Sequence, residues 1–413
     1  VTRSQAIAAL DRGAARVLGL PARLLRTDAL LRGVGGPALL APYGAEAPLR
    51  ILIEDYHRHA SLTLVGSIAA RFDLQRLLRN LAALAEREAR HPDLPALPIE
   101  RPIFITGMPR SGTTFLHKLL AEDPANRFPA VWETMFPLPR GADDPPARRI
   151  ATVTRQLAAF ARMAPGFRAM HPIEATSPQE CIEITAHVFR SFRFELTHHM
   201  PGYRRWMRAA DHVPAYRFHR RFLQHLQYTD GAPRRWVVKA PDHVFTLDAL
   251  AAVYPDARIV MLHRDPLEVL ASTAGLTAIL QRPFAAPRDP ALIGRDVLGD
   301  WRDGAAAMLR AEERRLFPPD RILHLRFRDF IAAPVAGVAR VYAHFNLPLE
   351  AEARQRMERR VAALPRGGYG GLTHALARYG IDAEAARQDF TAYAARFGVA
   401  TRQAPQAAAA GPS

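Results

Sequence analysis

A glycine-containing loop between an apolar segment and a helix-like segment constrains the fold of this chain more than any other feature. The stretch ITGMPRSGTTFLHKLL, residues 105–120, spaces Gly107 and Gly112 as G-x-x-x-x-G. The apolar run predicts a strand before the loop, and the residues after Gly112 predict a helix. Backbone N–H groups of such a loop, with the helix N-terminus, bind phosphate. Thr113 stands where a nucleotide triphosphatase carries lysine, so the loop predicts a phosphate-bearing ligand held without that lysine.

Three more apolar runs follow the pattern of buried strands. They read RWVVKAP, ARIVMLHRDP and RILHLRF, and helix-like segments separate them. Strands that alternate with helices indicate a parallel sheet covered on both faces. The predicted fold class is therefore α/β, a P-loop-type parallel sheet flanked by helices.

The chain divides into segments of different character. We expect a helical N-terminal extension over 1–100 packed on the core, and a core domain over 101–400. A helical insert over about 125–232 is predicted to build a substrate pocket, and the segment about 280–294 has the Pro/Gly character of a mobile lid. The tail over 401–413 is low in complexity and predicted to be disordered. Six aromatic residues of the insert are candidate pocket residues, with the core as the alternative: Trp132, Phe136, Phe189, Phe192, Tyr203 and Trp206.

The charge balance favours an anionic ligand. The net charge is +16, and nearly all of the basic side chains are arginine, since lysine occurs only at Lys118 and Lys239. No compact Lys/Arg tract supports nucleic-acid binding. Cys181 is the single cysteine, which excludes an intrachain disulfide. No secretory signal and no apolar run of membrane-spanning length is visible, so a cytoplasmic enzyme is expected.

A second motif lies in ARIVMLHRDPLEVLAS. Asp265 is a candidate N-cap with Pro266 at the first helical position, and Glu268 completes a D-x-x-E capping box. Arg264 then lies at the carboxyl end of a strand, where parallel α/β sheets bind ligands. Ser272 lies about two helical turns further on, so Arg264 and Ser272 are predicted to grip one phosphate.

The pair GMPRSGTTFL and HRDPLEVLAS resembles the sulfotransferase family, which uses 3′-phosphoadenosine 5′-phosphosulfate (PAPS) as cosubstrate. The resemblance runs from about Pro102 to Val399 and is closest to the bacterial branch with a long insert between the two motifs. It implies that Arg264 and Ser272 bind the 3′-phosphate. The segment LPRGGYGGL resembles the late Arg/Gly loop of the family, which implies contacts from Arg366 and Gly367. The resemblance implies further that the 5′ end of the nucleotide is held by Arg110, Ser111, Gly112, Thr113 and Thr114.

The segment VVKAPDHVF holds the first candidates for chemistry. Sulfuryl transfer needs a base for the acceptor hydroxyl and positive charge for the transition state. In the animal cytosolic branch of the family a K-T-H segment lies between the same motifs and its histidine is the base. By position, His243 is the candidate base, and Lys239 is the candidate transition-state cation together with Arg110. His243 is alternatively a helix cap, and the competing bases are His171, Glu174 and Glu133. Lys118 is expected to be a surface residue of its helix.

The predicted function is transfer of the sulfuryl group from PAPS to an acceptor hydroxyl without a metal. The acceptor stays open between a small alcohol or phenol, a lipid, a glycan and a carrier-bound hydroxyacyl group, and the oligomeric state stays open too. Two rival functions remain. One is an atypical P-loop kinase or NTPase, which the missing loop lysine disfavours. The other is a basic polyanion-binding protein without enzymatic activity, which only the charge supports.

Overall fold

The structure is a computed structural model that describes residue 19 and residues 23–141, 143–231, 234–363 and 376–399. Almost all of the helix predicted near the N-terminus lies outside the described residues. The same holds for Arg366, Gly367 and the tail over 401–413, so their predicted roles stay predictions.

A five-stranded parallel sheet forms the centre of the molecule. Its strands lie in the order β2-β3-β1-β4-β5. The α/β prediction is confirmed, and each of the four predicted apolar runs contains a strand. The short strand β2 was not predicted, because two polar residues carry no apolar pattern. The strands are β1 (Ile103–Gly107), β2 (Asn126–Arg127), β3 (Arg235–Lys239), β4 (Arg258–His263) and β5 (Ile322–Arg326).

Helices surround this sheet and fill most of the N-terminal region and the insert, as predicted. Those before and within the insert are α1 (Thr27–Leu31), α2 (Glu46–Arg58), α3 (Leu64–Arg90), α4 (Thr113–Leu120), α5 (Val131–Met135), α6 (Pro146–Met163), α7 (Phe167–Met170), α8 (Cys181–Thr185), α9 (Arg193–Thr197), α10 (Pro201–Ala209) and α11 (Val213–Asp230). Those that follow are α12 (Leu247–Val253), α13 (Pro266–Gln281), α14 (Pro290–Glu313), α15 (Phe327–Ala332), α16 (Pro334–His344), α17 (Ala351–Ala362), α18 (Ala383–Asp389) and α19 (Thr391–Phe397).

The two faces of the sheet belong to two separate hydrophobic cores. Alternate side chains of a strand point to opposite faces, so Phe104 enters the larger core while Ile103 and Ile105 enter the smaller one. The larger core also takes the leucines of α3 at helical spacing and much of the insert. The smaller core is closed by α4, α16 and α17. One continuous core therefore joins the N-terminal extension, the insert and one face of the sheet.

Buried histidines make acid sensitivity an expected property of the fold. Burial lowers the pKa of His187 and His219 to about 3 and that of His198 to about 4. Other buried histidines have a pKa lowered for the same first reason, among them His117, His243 and His263. All six rings are uncharged in the folded protein near neutral pH, whereas an unfolded chain protonates them below an ordinary value of about 6.5.

The free energy of unfolding should therefore fall as the pH drops from about 6.5 towards 4, because the unfolded state binds more protons in this window. Each histidine contributes a slope of about 1.4 kcal/mol per pH unit. Urea unfolding across this range measures the total slope. His187→Phe should reduce the slope by one histidine's share, since the ring already packs on Phe218 and Phe222. The exposed His57 is the control position, and an unfolding free energy that stays constant across this range would contradict the expectation.

Candidate functional site

A large cavity opens at the carboxyl edge of the sheet, where the glycine loop, β3 and β4 end. Its volume is about 1570 Å³. One side is rich in arginine and is built by the loop, by Arg264 and by Arg356, Arg359 and Arg360 of α17, of which Arg356 and Arg360 pair with Glu352 and Glu122. The other side is apolar and is lined by Phe167, Met170, Ile182, Leu196, Leu276, Leu280 and Trp301. The cationic side is thus suited to phosphate groups and the apolar side to a hydrophobic molecule.

The glycine loop has the strand–loop–helix geometry that the sequence predicts. Gly107 ends β1 with φ 123°, and a Cβ there would lie 2.1 Å from the carbonyl oxygen of Leu262 on β4. Gly112 has φ 89° and directly precedes α4. Both positions need glycine, the first because of close backbone approach and the second because of its left-handed conformation. Arg110 also has positive φ, at 59°, which places backbone strain inside the loop.

Some residues of the loop line the cavity, and Ser111 stabilises the loop itself. Arg110, Gly112, Thr113 and Thr114 line the cavity. Ser111 is fully buried, and its hydroxyl donates a 2.5 Å hydrogen bond to the carbonyl oxygen of Met108. Its hydroxyl therefore holds the loop in shape.

The two sequence motifs meet at Arg110. Its Nε donates to Ser272 Oγ at 3.1 Å, and Arg264 donates to the carbonyl oxygen of Arg110 at 2.5 Å. Arg264 and Ser272 thus lie beside the loop, and their binding of a phosphate stays a prediction. Glu268 pairs with Arg264 at 2.9 Å, whereas Arg110 has no carboxylate partner among the described residues. Burial, and then the charge of Arg264, lowers the pKa of the Arg110 guanidinium. Adjacent guanidinium groups with an incomplete set of carboxylates favour a bound anion.

A buried hydrogen-bond chain fixes the end of β4 that carries Arg264. His324 Nε2 lies 3.0 Å from a Glu312 carboxylate oxygen, which can only accept, so His324 Nδ1 accepts from His263 Nε2 at 2.8 Å. His263 Nδ1 must then accept from the Tyr393 hydroxyl at 2.9 Å. The chain needs both imidazoles neutral, which agrees with the lowered pKa of each. It ties α19 to the strand end beside the cavity.

Lys239 reaches the loop from the neighbouring strand. β3 pairs with β1, and Lys239 lies opposite Ile105 in the register. Its side chain is almost fully buried, its Nζ donates to Thr114 Oγ1 at 3.0 Å, and it forms an ion pair with Glu180. The loop lacks its own lysine, and β3 supplies an ammonium group at the first turn of α4 instead.

His243 does not reach the cavity. It lies in the 3-10 turn Pro241–Phe245, with Nδ1 at 2.6 Å from the Tyr216 hydroxyl and the ring against the edge of Phe104. Its Nε2 is buried and has no hydrogen-bond partner among the described residues. Its neighbours Pro241 and Asp242 line the cavity, but His243 does not. The turn therefore directs the imidazole into the larger core and the Asp242 carboxylate to the cavity.

The three alternative bases lie in different environments. His171 lines the cavity, and burial lowers its pKa to about 4. Glu174 is exposed and is absent from the cavity wall. Glu133 is bound to Arg127 at 2.6 Å and accepts from the Ala130 backbone N–H at 2.8 Å, which makes it a buried cap of α5. Only His171 of the three is brought to the cavity.

Sequence reasoning missed the five carboxylates that line the cavity, and two of them lie near Lys239. Asp242 lines the cavity, and burial, reinforced by the nearby charge of Glu180, raises its pKa to about 7. Glu180 lines the cavity as well and pairs with Lys239. Sequence reasoning could have found Asp242, because it follows soon after Lys239, the last residue of the apolar strand β3, at the carboxyl edge of the sheet. Glu180 precedes α8 and forms an isolated bridge with Lys239 of β3. This contact is distant in sequence, so no local pattern around Glu180 predicts it.

Several expectations about the walls of the cavity are corrected by the structure. Lys118 lines the cavity and donates to the carbonyl oxygen of Pro172 at 2.8 Å, so it is not a surface residue of its helix. None of the six candidate aromatic residues lines this cavity, because their side chains pack in or against the hydrophobic cores, although Phe192 borders a small adjoining pocket. In the segment predicted to be a lid, Leu280 lines the cavity while Phe284 and Ala286 bond to the backbone before α3.

The fold and the site define a P-loop-type α/β protein with a cationic loop that faces a large cavity. Residues 102–351 match the sequence model of the Sulfotransferase family, which is more than half of the chain. The chain belongs to the sulfotransferase family, as its two motifs predict. Among the described residues no helix has both the length and the apolar character that a membrane crossing requires.

Relatives of this chain come from mycobacteria. Omega-hydroxy-beta-dihydromenaquinone-9 sulfotransferase Stf3 of Mycobacterium bovis and that of Mycobacterium tuberculosis are each 27% identical over 259 residues. That match covers 60% of this chain, and the chain spans 63% of the length of these curated relatives. The crystal structure of sulfotransferase STF1 from Mycobacterium tuberculosis H37Rv has a TM-score of 0.75 and 29% identity, covering 95% of this chain and 99% of that one. Sulfotransferase STF9 from Mycobacterium avium has a TM-score of 0.76 and 26% identity, with coverages of 88% and 95%.

Proposed function

We propose that this protein transfers the sulfuryl group of PAPS to a hydroxyl group of a lipid-like acceptor. The observation that carries the proposal is the meeting of the two motifs at Arg110, beside a cavity that is cationic on one side and apolar on the other. In the family such motifs bind PAPS. The 5′-phosphosulfate would lie on the loop with Thr113 and Thr114, and the 3′-phosphate would lie on Arg264 and Ser272.

The aromatic side chains beside the loop suit a nucleotide base. Phe115 and Phe327 both line the cavity, and the Arg264 guanidinium lies over the Phe327 ring at 4.1 Å. A base that stacks on these rings would leave the phosphates within reach of the guanidinium groups. These contacts support adenine binding on the cationic side of the cavity.

In the proposed reaction the acceptor oxygen attacks sulfur in line with the bond to the 5′-phosphate. The acceptor hydroxyl gives its proton to a base, the S–O bond to the phosphate breaks, and a sulfate ester and 3′-phosphoadenosine 5′-phosphate (PAP) result. Charge that develops on the leaving oxygen would be stabilised by Lys239, Arg110 and the loop amides. No metal ion takes part in this proposal.

We assign the base role to Asp242 rather than to His243. A general base works best when its pKa lies near the operating pH, and that of Asp242 is raised to about 7. The carboxylate also borders the cavity and lies close enough to Glu180 and Lys239 for their charges to act on it. His171 is the second candidate in this wall, but its pKa of about 4 makes it a weaker base.

Asp242→Asn should lower kcat by about 10²- to 10⁴-fold and leave PAP affinity within a few-fold. In the parent enzyme, kcat/KM should fall about tenfold per pH unit below pH 7, because the protonated carboxyl cannot accept the proton. The adjacent residue His243 is the matched control. His243→Gln should lower kcat by less than about tenfold, since the ring of His243 lies away from the cavity. An active Asp242→Asn variant beside an inactive His243→Gln variant would return the base role to His243.

The apolar wall supports a lipid-like acceptor. The cavity of about 1570 Å³ exceeds the roughly 300–1,000 Å³ of common small-molecule pockets, which leaves room for a nucleotide and a large second substrate. The curated mycobacterial relatives carry the name of a hydroxylated menaquinone as their acceptor. Incubation with radiolabelled PAPS and a bacterial lipid extract tests the proposal. Label in the extracted lipid supports it, whereas label only in water-soluble hydroxyl compounds would contradict the acceptor class.

A further inference from the structure

The first half of α3 exposes an apolar stripe that the mechanism does not use. Val65, Ile68 and Phe72 are 45%, 55% and 52% exposed, and their spacing places them on one face of the helix. Met163, at the end of α6, is 43% exposed. Large apolar side chains grouped on a surface mark a site of contact with a protein or a membrane.

This stripe adjoins the apolar side of the cavity. The Phe284 carbonyl oxygen accepts from the Thr63 backbone N–H at 3.0 Å, and a Cβ on Gly66 would lie 1.8 Å from the same oxygen, so α3 is seated directly on the 282–288 segment. The Phe284 ring stacks on Phe160 at 5.9 Å, and Phe160 meets Phe167 at 5.0 Å. Phe167 lines the cavity. A continuous series of packed groups therefore links the stripe to the apolar wall.

The three segments that form this region contain no acidic residue. They are 56–72, 145–173 and 269–288. Four of their arginines are exposed and have no ion pair among the described residues: Arg155, Arg162, Arg168 and Arg282. Elsewhere about half of the described arginines form ion pairs with carboxylates, as Arg204 and Arg208 do with Asp300. The region thus combines exposed apolar groups with uncompensated positive charge.

We propose that this basic apolar face, formed by Val65, Ile68, Phe72, Met163 and the four unpaired arginines, docks onto the surface of an anionic phospholipid bilayer. Apolar side chains enter the headgroup boundary while arginines bind lipid phosphates, which is the chemistry of interfacial membrane proteins. Docking would hold the apolar side of the cavity next to the membrane. The purpose of docking rests on the proposed lipid acceptor, but the binding event itself requires neither donor nor acceptor. Nucleic acid fits less well, since an apolar stripe offers nothing to a sugar–phosphate backbone.

The test is co-sedimentation of the full chain with vesicles of phosphatidylglycerol and phosphatidylcholine in equal parts. A protein of this charge adsorbs to any anionic surface, so the decisive variant keeps the charge and removes only the stripe: Val65→Ser, Ile68→Ser and Phe72→Ser combined. Binding is compared at about 0.5 M NaCl, where the Debye length is roughly 4 Å and adsorption through charge is screened. We expect the triple variant to bind at least about tenfold more weakly than the parent chain.

A second comparison isolates the arginines. Arg155, Arg162, Arg168 and Arg282 are changed together to glutamine, and a matched set of exposed arginines outside the face is changed likewise: Arg310, Arg315, Arg340 and Arg354. Both variants lose the same net charge. At low salt the first set should lose at least about fivefold more vesicle affinity than the second. Equal losses would mean general adsorption and would overturn the proposal.

Other occupants of the stripe give different results. If a second copy covers it, the parent chain is a dimer in sedimentation velocity, the triple variant is a monomer, and both bind vesicles equally. If residues 1–22 cover it, the triple variant has a lower Tm with unchanged vesicle binding. Either result overturns membrane docking. A single cooperative thermal unfolding transition confirms that the triple variant is folded. If the triple variant does not fold, the single variant Ile68→Ser is tested in its place. Vesicle binding and sulfuryl transfer are measured separately, so failure of one is distinguishable from failure of the other.

Discussion

Replacement of Lys239 by methionine should lower kcat by about 10²- to 10³-fold, the cost of removing one preorganised donor to a developing charge. The side chain is almost fully buried at the first turn of α4, where Nζ donates to Thr114 Oγ1 at 3.0 Å. Methionine keeps the length and shape of the side chain but removes the positive charge. Single-turnover kinetics with PAPS would measure the loss in the transfer step itself.

Two controls separate catalysis from folding. Loss of Lys239 leaves the half-buried Glu180 without its partner, and loss of one partner of a fully buried pair can destabilise a protein by about 3–5 kcal/mol. The double variant Lys239→Met with Glu180→Gln restores the charge balance and should recover Tm without recovering kcat. Lys118→Met removes the second lysine of the chain, which lines the cavity and donates to a backbone carbonyl, and should cost less than about tenfold. A double variant with kcat within a few-fold of the parent would remove Lys239 from the transition state.

The second large effect concerns the 3′-phosphate. Arg264→Ala should weaken PAP binding by about 10- to 150-fold, the value of a charge-assisted hydrogen bond of about 1.5–3 kcal/mol. Adenosine 5′-phosphosulfate lacks the 3′-phosphate, so its Kd should change only a few-fold. Calorimetric titration of both ligands gives the two ratios.

A matched variant shows whether weaker PAP binding by Arg264→Ala comes from the lost phosphate contact or from a disturbed loop. Arg264 also holds the Arg110 carbonyl oxygen and pairs with Glu268, so its loss can disturb the loop. Arg328 lies 3.7 Å from the same glutamate on the exposed side, and Arg328→Ala should leave both titrations nearly unchanged. Equal weakening of PAP and adenosine 5′-phosphosulfate by Arg264→Ala would mean that Arg264 shapes the loop and does not bind the 3′-phosphate.

The sequence was sufficient to predict the parallel sheet and to place the two motifs in one site. Buried parallel strands are short apolar runs, and the glycine loop indicates which of them leads into the predicted phosphate site. Arg264 and Ser272 followed from their place after β4, because strand ends converge at one edge of the sheet. Among the strands of the described residues only β2 was not predicted, since two residues without apolar character carry no periodic signal.

The base could not be assigned in the same way. His243 and Asp242 are neighbours, and the 3-10 turn Pro241–Phe245 decides which of the two side chains faces the cavity. Residue type favoured the histidine, but the turn buries it against Phe104 and Tyr216. The residues of the apolar side of the cavity could not be predicted for a related reason. Aromatic residues at helical spacing give the same pattern in a core and in a pocket. Side-chain direction in turns and in the insert is set by tertiary packing.

A thermal-shift comparison shows whether the cationic side of the cavity is a site for PAPS. The purified chain is heated with PAP and, separately, with ATP and Mg²⁺. A ligand at about 100 times its Kd stabilises the folded state by about 2.7 kcal/mol, which gives a readable rise in Tm. We predict a rise with PAP and none with ATP and Mg²⁺. A rise with ATP and Mg²⁺ alone would contradict the account and identify the loop as that of a kinase or NTPase.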